Sequence, residues 1–230
     1  MAARVALALL LAAGLGSCVR YEYEHEIWLD VDGSGRVNVT GRPELWARFK
    51  GLAADTDEEA LARRARELFE RSGLRVRRVD LTHRGGHAYL YVAAAFDDVN
   101  RLGGTAAFPD LRIALRPDGD RLRLEGAWRP ASRPPTPAGT DGLMAVRFHL
   151  PSKIYRHENA PGGVERGNIL SWRQEVAAGA AGRELAFGAV MDRRSIFYST
   201  VGLFAGAVLT ALAMLATVVY FVRRKGRGDG

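Results

Sequence analysis

The sequence predicts an α+β domain, an antiparallel β-sheet with one principal helix, followed by a C-terminal transmembrane helix. Three observations carry this. Residues 21–31, YEYEHEIWLDV, alternate between two faces with the period of a half-buried strand. Residues 60–71 place Leu61, Ala65, Leu68 and Phe69 on one helical face. Residues 195–222 contain no charged side chain, over a length that clears the roughly 20 residues a spanning helix requires.

The N-terminal stretch is short and apolar. Arg4 precedes an uninterrupted apolar run from Val5 to Ala13, and small residues lead up to Cys18. This reads as a signal peptide over 1–17, because the run is too short for a comfortable permanent span. The chain has one cysteine, so an internal disulfide framework is excluded. Leu15-Gly16-Ser17-Cys18 resembles the bacterial lipobox, in which the cysteine thiol carries diacylglycerol and becomes the mature N-terminus. Cys18 is therefore the expected lipidation site.

The next elements follow from turn and cap chemistry. Tyr21, Tyr23, His25, Ile27, Leu29 and Val31 share one strand face. Asp32-Gly33-Ser34-Gly35 turns the chain, and Val37-Asn38-Val39 begins the return strand. A helix follows Pro43. Thr56-Asp57-Glu58-Glu59 reads as a capping box before the helix of 60–71, with Gly73 at its stop. Two strand-like runs flank Gly85-Gly86 as a tight hairpin, and two more flank Pro117-Asp118-Gly119-Asp120. Residues 129–142 are Pro-rich and read as a surface loop. MAVRFHL and GNILSW are the clearest later strands, expected to complete the same sheet. The extracytoplasmic domain is thus expected over 18–192, the transmembrane helix over 195–222 and a basic tail over 223–230.

Charge follows topology. Arg223, Arg224, Lys225 and Arg227 form a topology signal that places the C-terminus in the cytoplasm and the preceding domain outside the cytoplasmic membrane. Less Asp229, they carry three of the +7 net charge, and Arg4 carries one more. Residues 19–222 keep about three, so nucleic-acid binding loses its main support.

Several groupings resemble chemical sites. Asp30 to Gly41 resembles the first half of an EF-hand loop, but its twelfth position is Gly41 where calcium needs a bidentate Glu, so the segment reads as a turn. Glu22, Glu24 and Glu26 read as the solvated side of an amphipathic strand. With Gly85-Gly86 as the turn, His83 and His87 point to opposite faces, poor geometry for chelation. Trp172 and Asn168 suit either a binding rim or a core Trp with a turn Asn. No Gly-x-Ser-x-Gly, P-loop or His-Glu-x-x-His motif is present. Neither catalytic residues, a metal site nor a cofactor is therefore expected.

The order of lipobox, strand with Asp-Gly-Ser-Gly turn, Gly-Asn-x-Leu-x-Trp strand, membrane helix and basic tail resembles the LppM-like envelope lipoproteins. The resemblance implies an envelope module that contacts lipids or glycolipids. The expected function is a non-enzymatic, membrane-anchored module with membrane lipid as its partner. Tyr21, Tyr23, Arg193 and Arg194 are its expected membrane-facing edge, because short spacers separate the domain from both anchors. A structural or adaptor subunit is the alternative, with Gly202, Ala205, Gly206 and Ala213 offering helix contacts to a membrane protein. An enzyme working through Glu22, His25 and Glu26 is a third class.

Overall fold

A computed structural model describes residues 21–53, 57–131, 141–194 and 196–225, with side chains in the last segment described for 201–220. Its elements form an α+β architecture of two packed sheets with short helices and one long terminal helix.

The first sheet has the order β3-β4-β2-β1-β7-β9. Its strands are β1 (Tyr21–Leu29), β2 (Gly35–Gly41), β3 (Arg75–Arg84), β4 (His87–Phe96), β7 (Leu143–His149) and β9 (Ile169–Glu175). The second has the order β5-β6-β10-β8, from β5 (Leu111–Asp118), β6 (Arg121–Trp128), β8 (Ile154–Glu158) and β10 (Leu185–Asp192). The helices are α1 (Pro43–Lys50), α2 (Glu58–Arg71), α3 (Val176–Ala180) and α4 (Ile196–Lys225).

Local signals place these elements. Gly33 turns the β1–β2 hairpin at φ 88°, and Asp32 accepts from the Ser34 N–H and hydroxyl. Gly85 and Gly86, at φ 58° and 79°, form the β3–β4 turn with both central residues left-handed, as a type I′ turn requires. Asp57 caps α2 by accepting from the backbone of Glu59 and Ala60, one residue beyond the expected Thr56. The Pro-rich stretch lies mostly outside the described residues.

The chain departs from the expected single antiparallel sheet in two ways. β8 and β10 leave the first sheet and join β6, because β5, β6 and β10 each present apolar residues that a second layer must cover. β7 also pairs parallel to β1 at the centre of the first sheet. Between the layers lies a core of large aromatics. Trp128 of the second sheet stands 5.6 Å from Tyr23, 4.4 Å from His25 and 5.5 Å from Phe49.

Strand direction fixes the two ends of the domain. β7 runs alongside β1, with Leu143 beside Tyr21 and His149 beside Trp28. Just past His149, the Lys153 carbonyl accepts from the Asp192 N–H, and the Ser152 hydroxyl donates to the Asp192 carbonyl. The chain therefore leaves for α4 at the β1–β2-turn end. Tyr21 lies at the other end, about 26 Å away along β1.

Candidate ligand-binding face

One face of the first sheet is buried against the helices and the second sheet, and the other is open. On β1 the buried set is Tyr23, His25, Ile27 and Leu29, so Glu24, Glu26 and Trp28 fall on the open face. Pairing brings Asn38 and Thr40 of β2 and Tyr91 of β4 onto the same face. Arg78, Asp80 and Thr82 of β3 and Arg147 and His149 of β7 complete it. A cleft of about 650 Å³ opens here, lined by Tyr21, Glu24, Thr40, Arg78, Asp80, Thr82, Arg84, Tyr89, Tyr91 and Arg147. A second cleft, of about 510 Å³, lies toward the β1–β2 turn beside Trp28, Arg36, Arg75 and Arg77.

The carboxylates expected to be solvated are instead half-buried and paired. Arg147 serves two of them, standing 3.5 Å from Glu24 and 3.6 Å from Glu26, with its guanidinium 5.5 Å from the Tyr21 ring. His149 Nε2 is 2.8 Å from Glu26, and its ring stacks on Trp28 at 4.3 Å. Glu22 accepts from the Tyr89 hydroxyl and pairs with Arg42. The Arg84 guanidinium lies over the Tyr89 ring at 4.4 Å.

Burial dominates the chemistry of Glu24. Desolvation pushes its carboxyl up to about 7 against the pull of Arg147, and its Oε1 has no hydrogen-bond partner among the described residues. Near neutrality this carboxyl can donate as well as accept. With guanidiniums, phenols and threonine hydroxyls around it, the cleft can hold a polar, hydroxyl-rich or anionic group by hydrogen bonds.

The expected site residues fall in different places. Cys18 lies outside the described residues, as does Arg227. Arg223, Arg224 and Lys225 lie in the last turn of α4, their side chains not described. Arg193 and Arg194 are exposed between β10 and α4. Tyr23 is corrected: it is wholly buried, packed against Trp46, Phe49 and Trp128, and faces no membrane. Tyr21 does not share that face. A β-bulge between Tyr21 and Tyr23, with Glu22 as the extra residue, turns Tyr21 to the open face. Tyr21 also sits at the opposite end of the domain from Arg193 and Arg194, so these four residues share no edge.

The remaining groupings resolve as backbone features. Gly35 to Gly41 is strand β2, so the EF-hand-like segment is a hairpin turn running into a strand. Arg84 opposes His87 and His83 opposes Ala88, which sends the imidazoles to opposite faces. Among the described residues no group of three His, Cys, Asp or Glu side chains is arranged to hold a metal ion. Trp172 is a core residue against Phe148 and Phe187, its indole N–H donating to the Glu158 carbonyl. Asn168 takes a left-handed turn conformation at φ 58°. Sequence reasoning missed Arg147, His149, Tyr89 and Tyr91. The alternation of Ala145, Arg147 and His149 in MAVRFHL is the available signal, since it sets a basic face against the acidic face of β1.

No protein-family model matches the chain, and no curated protein matches it. Among solved structures, the NMR structure of the folded domain of LppM from Mycobacterium tuberculosis aligns with a TM-score of 0.43 at 14% identity. The alignment covers 74% of this chain and 88% of that one.

Proposed function

We propose that the chain is an envelope lipoprotein anchored in the cytoplasmic membrane, a non-enzymatic module that contacts lipid or glycolipid through the open face of its six-stranded sheet. The observation that supports it most is the join between β10 and α4. Three residues separate Asp192 from a helix of 30 residues, Ile196–Lys225, whose apolar stretch Val201–Tyr220 is exposed along its whole length. Twenty exposed, uncharged and predominantly apolar residues in a row suit a bilayer, where every backbone group is bonded within the helix. The basic residues after Val222 orient this span with the domain outside.

With Cys18 acylated, the second anchor attaches three residues before Tyr21, a reach of about 10 Å. The two anchors then hold opposite ends of β1's long axis, and the domain lies along the bilayer rather than standing away from it. Headgroups become the most concentrated polar ligands near the open face. Arg78, Arg84 and Arg147 supply donors to a phosphate or to sugar hydroxyls. Tyr21 and Tyr91 offer ring faces, and Glu24 offers a carboxyl that changes its donor character near pH 7.

The test is native mass spectrometry of the full-length protein extracted from membranes. The expected result is loss of residues 1–17, an acyl-glyceryl adduct on Cys18 and a retained lipid. Arg147→Ala should lose that retained lipid while keeping the adduct. An unmodified thiol overturns the lipoprotein assignment, and a co-purifying membrane protein in place of lipid moves the reading to an adaptor subunit.

A further inference from the structure

Among the described residues outside α4, the exposed large apolar side chains are Tyr155, at 45%, and Val164, at 47%. Tyr155 is thus the one exposed aromatic of the described domain, and its position is not arbitrary. Its hydroxyl donates to Asp192 Oδ2 at 3.1 Å, and Asp192 is the last residue of β10 before the chain enters α4. The other carboxylate oxygen of Asp192 accepts from the Arg194 N–H at 2.8 Å, which ties the same residue to the start of the helix.

Cations surround this ring. Arg121, paired across the sheet with Asp192, places its guanidinium 4.3 Å from the centre of the Tyr155 ring. The Lys153 ammonium stands at 5.3 Å. Arg193 and Arg194 follow directly and are exposed. The nearby carboxylates are largely committed: Asp192 to Tyr155 and Arg194, and Asp118 to Arg123 at 2.7 Å. Asp120, the remaining one, is 3.8 Å from Arg121. The patch is therefore basic, aromatic and continuous with the apolar helix.

We infer that Tyr155, Arg121, Lys153, Arg193 and Arg194 form a docking surface that rests on the anionic headgroups around the foot of α4. The inference rests on the reading of α4 as a membrane span, and it replaces the Tyr21–Tyr23 edge with one at the opposite end of β1. An amphipathic ring with a bound hydroxyl suits the headgroup level, where tyrosines concentrate. Basic residues next to a span gain from an anionic surface and gain little from a zwitterionic one. The Arg121–Asp192–Tyr155 row belongs to the sheet itself, so docking fixes the tilt of the domain and not only its distance from the bilayer.

The experiment uses the full chain with benzoylphenylalanine in place of Tyr155, or in place of Leu209 within the span, in nanodiscs of phosphatidylglycerol or of phosphatidylcholine. Irradiation should attach lipid at 209 in both bilayers. At position 155 it should attach lipid efficiently in phosphatidylglycerol and several-fold less in phosphatidylcholine. Adding Arg121→Glu and Lys153→Glu should cut the yield at 155 by an order of magnitude or more, at roughly fivefold per basic residue, and leave 209 unchanged. No lipid at 155 with normal attachment at 209 overturns this docking surface alone. Equal yields at 155 in the two bilayers overturn its electrostatic basis. No lipid at 209 overturns the membrane span and the docking surface together.

Discussion

Two desolvated titratable side chains, buried Lys50 and half-buried Glu24, carry opposite pH signatures. Lys50, on the buried side of α1, donates to the Ala107 carbonyl with its ammonium 4.1 Å from the Phe108 ring centre. Burial pulls its amine down to about 7 from 10.5, against a smaller opposing effect of Asp110. Between pH 7 and 10.5 the unfolded chain holds a proton that the folded chain releases, so stability rises with pH across that window. Glu24 behaves in reverse. Its folded value of about 7 stands above 4.5, so the folded state binds the extra proton and stability falls from pH 4.5 to 7. Lys50→Met should raise stability at pH 6 by about 1–4 kcal/mol and remove the alkaline rise. Glu24→Gln should remove the acid-side fall and add on the order of 3 kcal/mol at pH 8. Urea melts of the wild type and the two variants from pH 4 to 10 check both signs. A wild-type profile flat across both windows would show that neither group is buried as described. His25 is also buried, held below its ordinary value by desolvation and by Lys50, with neither ring nitrogen bonded among the described residues.

The β1–β2 pairing depends on a close approach that only glycine permits. Gly41 lies opposite Tyr23, and a Cβ there would stand 2.3 Å from the Tyr23 ring and 3.2 Å from the Glu22 carbonyl. The ring cannot swing away, because Trp46, Phe49 and Trp128 enclose it. Gly41→Ala is therefore an overpacking substitution at the bulged end of β1, with an expected cost of about 1–3 kcal/mol. The same substitution at Gly73, where a Cβ would meet nothing within 4 Å, acts through its left-handed φ of 78° alone. Thermal melts of both variants separate the two causes. An unchanged midpoint for Gly41→Ala would mean that Tyr23 does not pack on β2.

At the scale of the whole domain, the two sheets meet through few, large side chains. Trp128 gathers Tyr23 and His25 of β1 and Phe49 of α1 into one cluster, and Phe187 of β10 joins Phe148 and Trp172 in another. Trp128→Ala should cost about 3–5 kcal/mol and loosen the layer interface rather than either sheet alone. Denaturant unfolding followed by both circular dichroism and tryptophan emission tests this, since coincident transitions mark one cooperative unit. A loss well below 1 kcal/mol would mean that the layers are held elsewhere.

Neighbouring residues alone dictate the local elements: the Gly85–Gly86 hairpin, the capped α2 with its stop at Gly73, the alternating β1 and the apolar stretch that becomes α4. Each is written in neighbouring residues, through turn chemistry, caps or periodicity, so each is legible without knowing what lies opposite. Their partners across the sheets are set by long-range packing. Glu26 and His149 are 123 residues apart, and they meet because β7 returns parallel to β1. Glu24 looks solvated in YEYEHE, yet Arg147 and the neighbouring strands cover it. Tyr21 and Tyr23 look alike by parity, yet one extra residue at Glu22 sends them to opposite faces. Strand periodicity fixes which side chains share a face but not which strands compete for the core. Burial over the whole chain settles that competition, and it places the cleft on the open face and Tyr155 at the foot of α4.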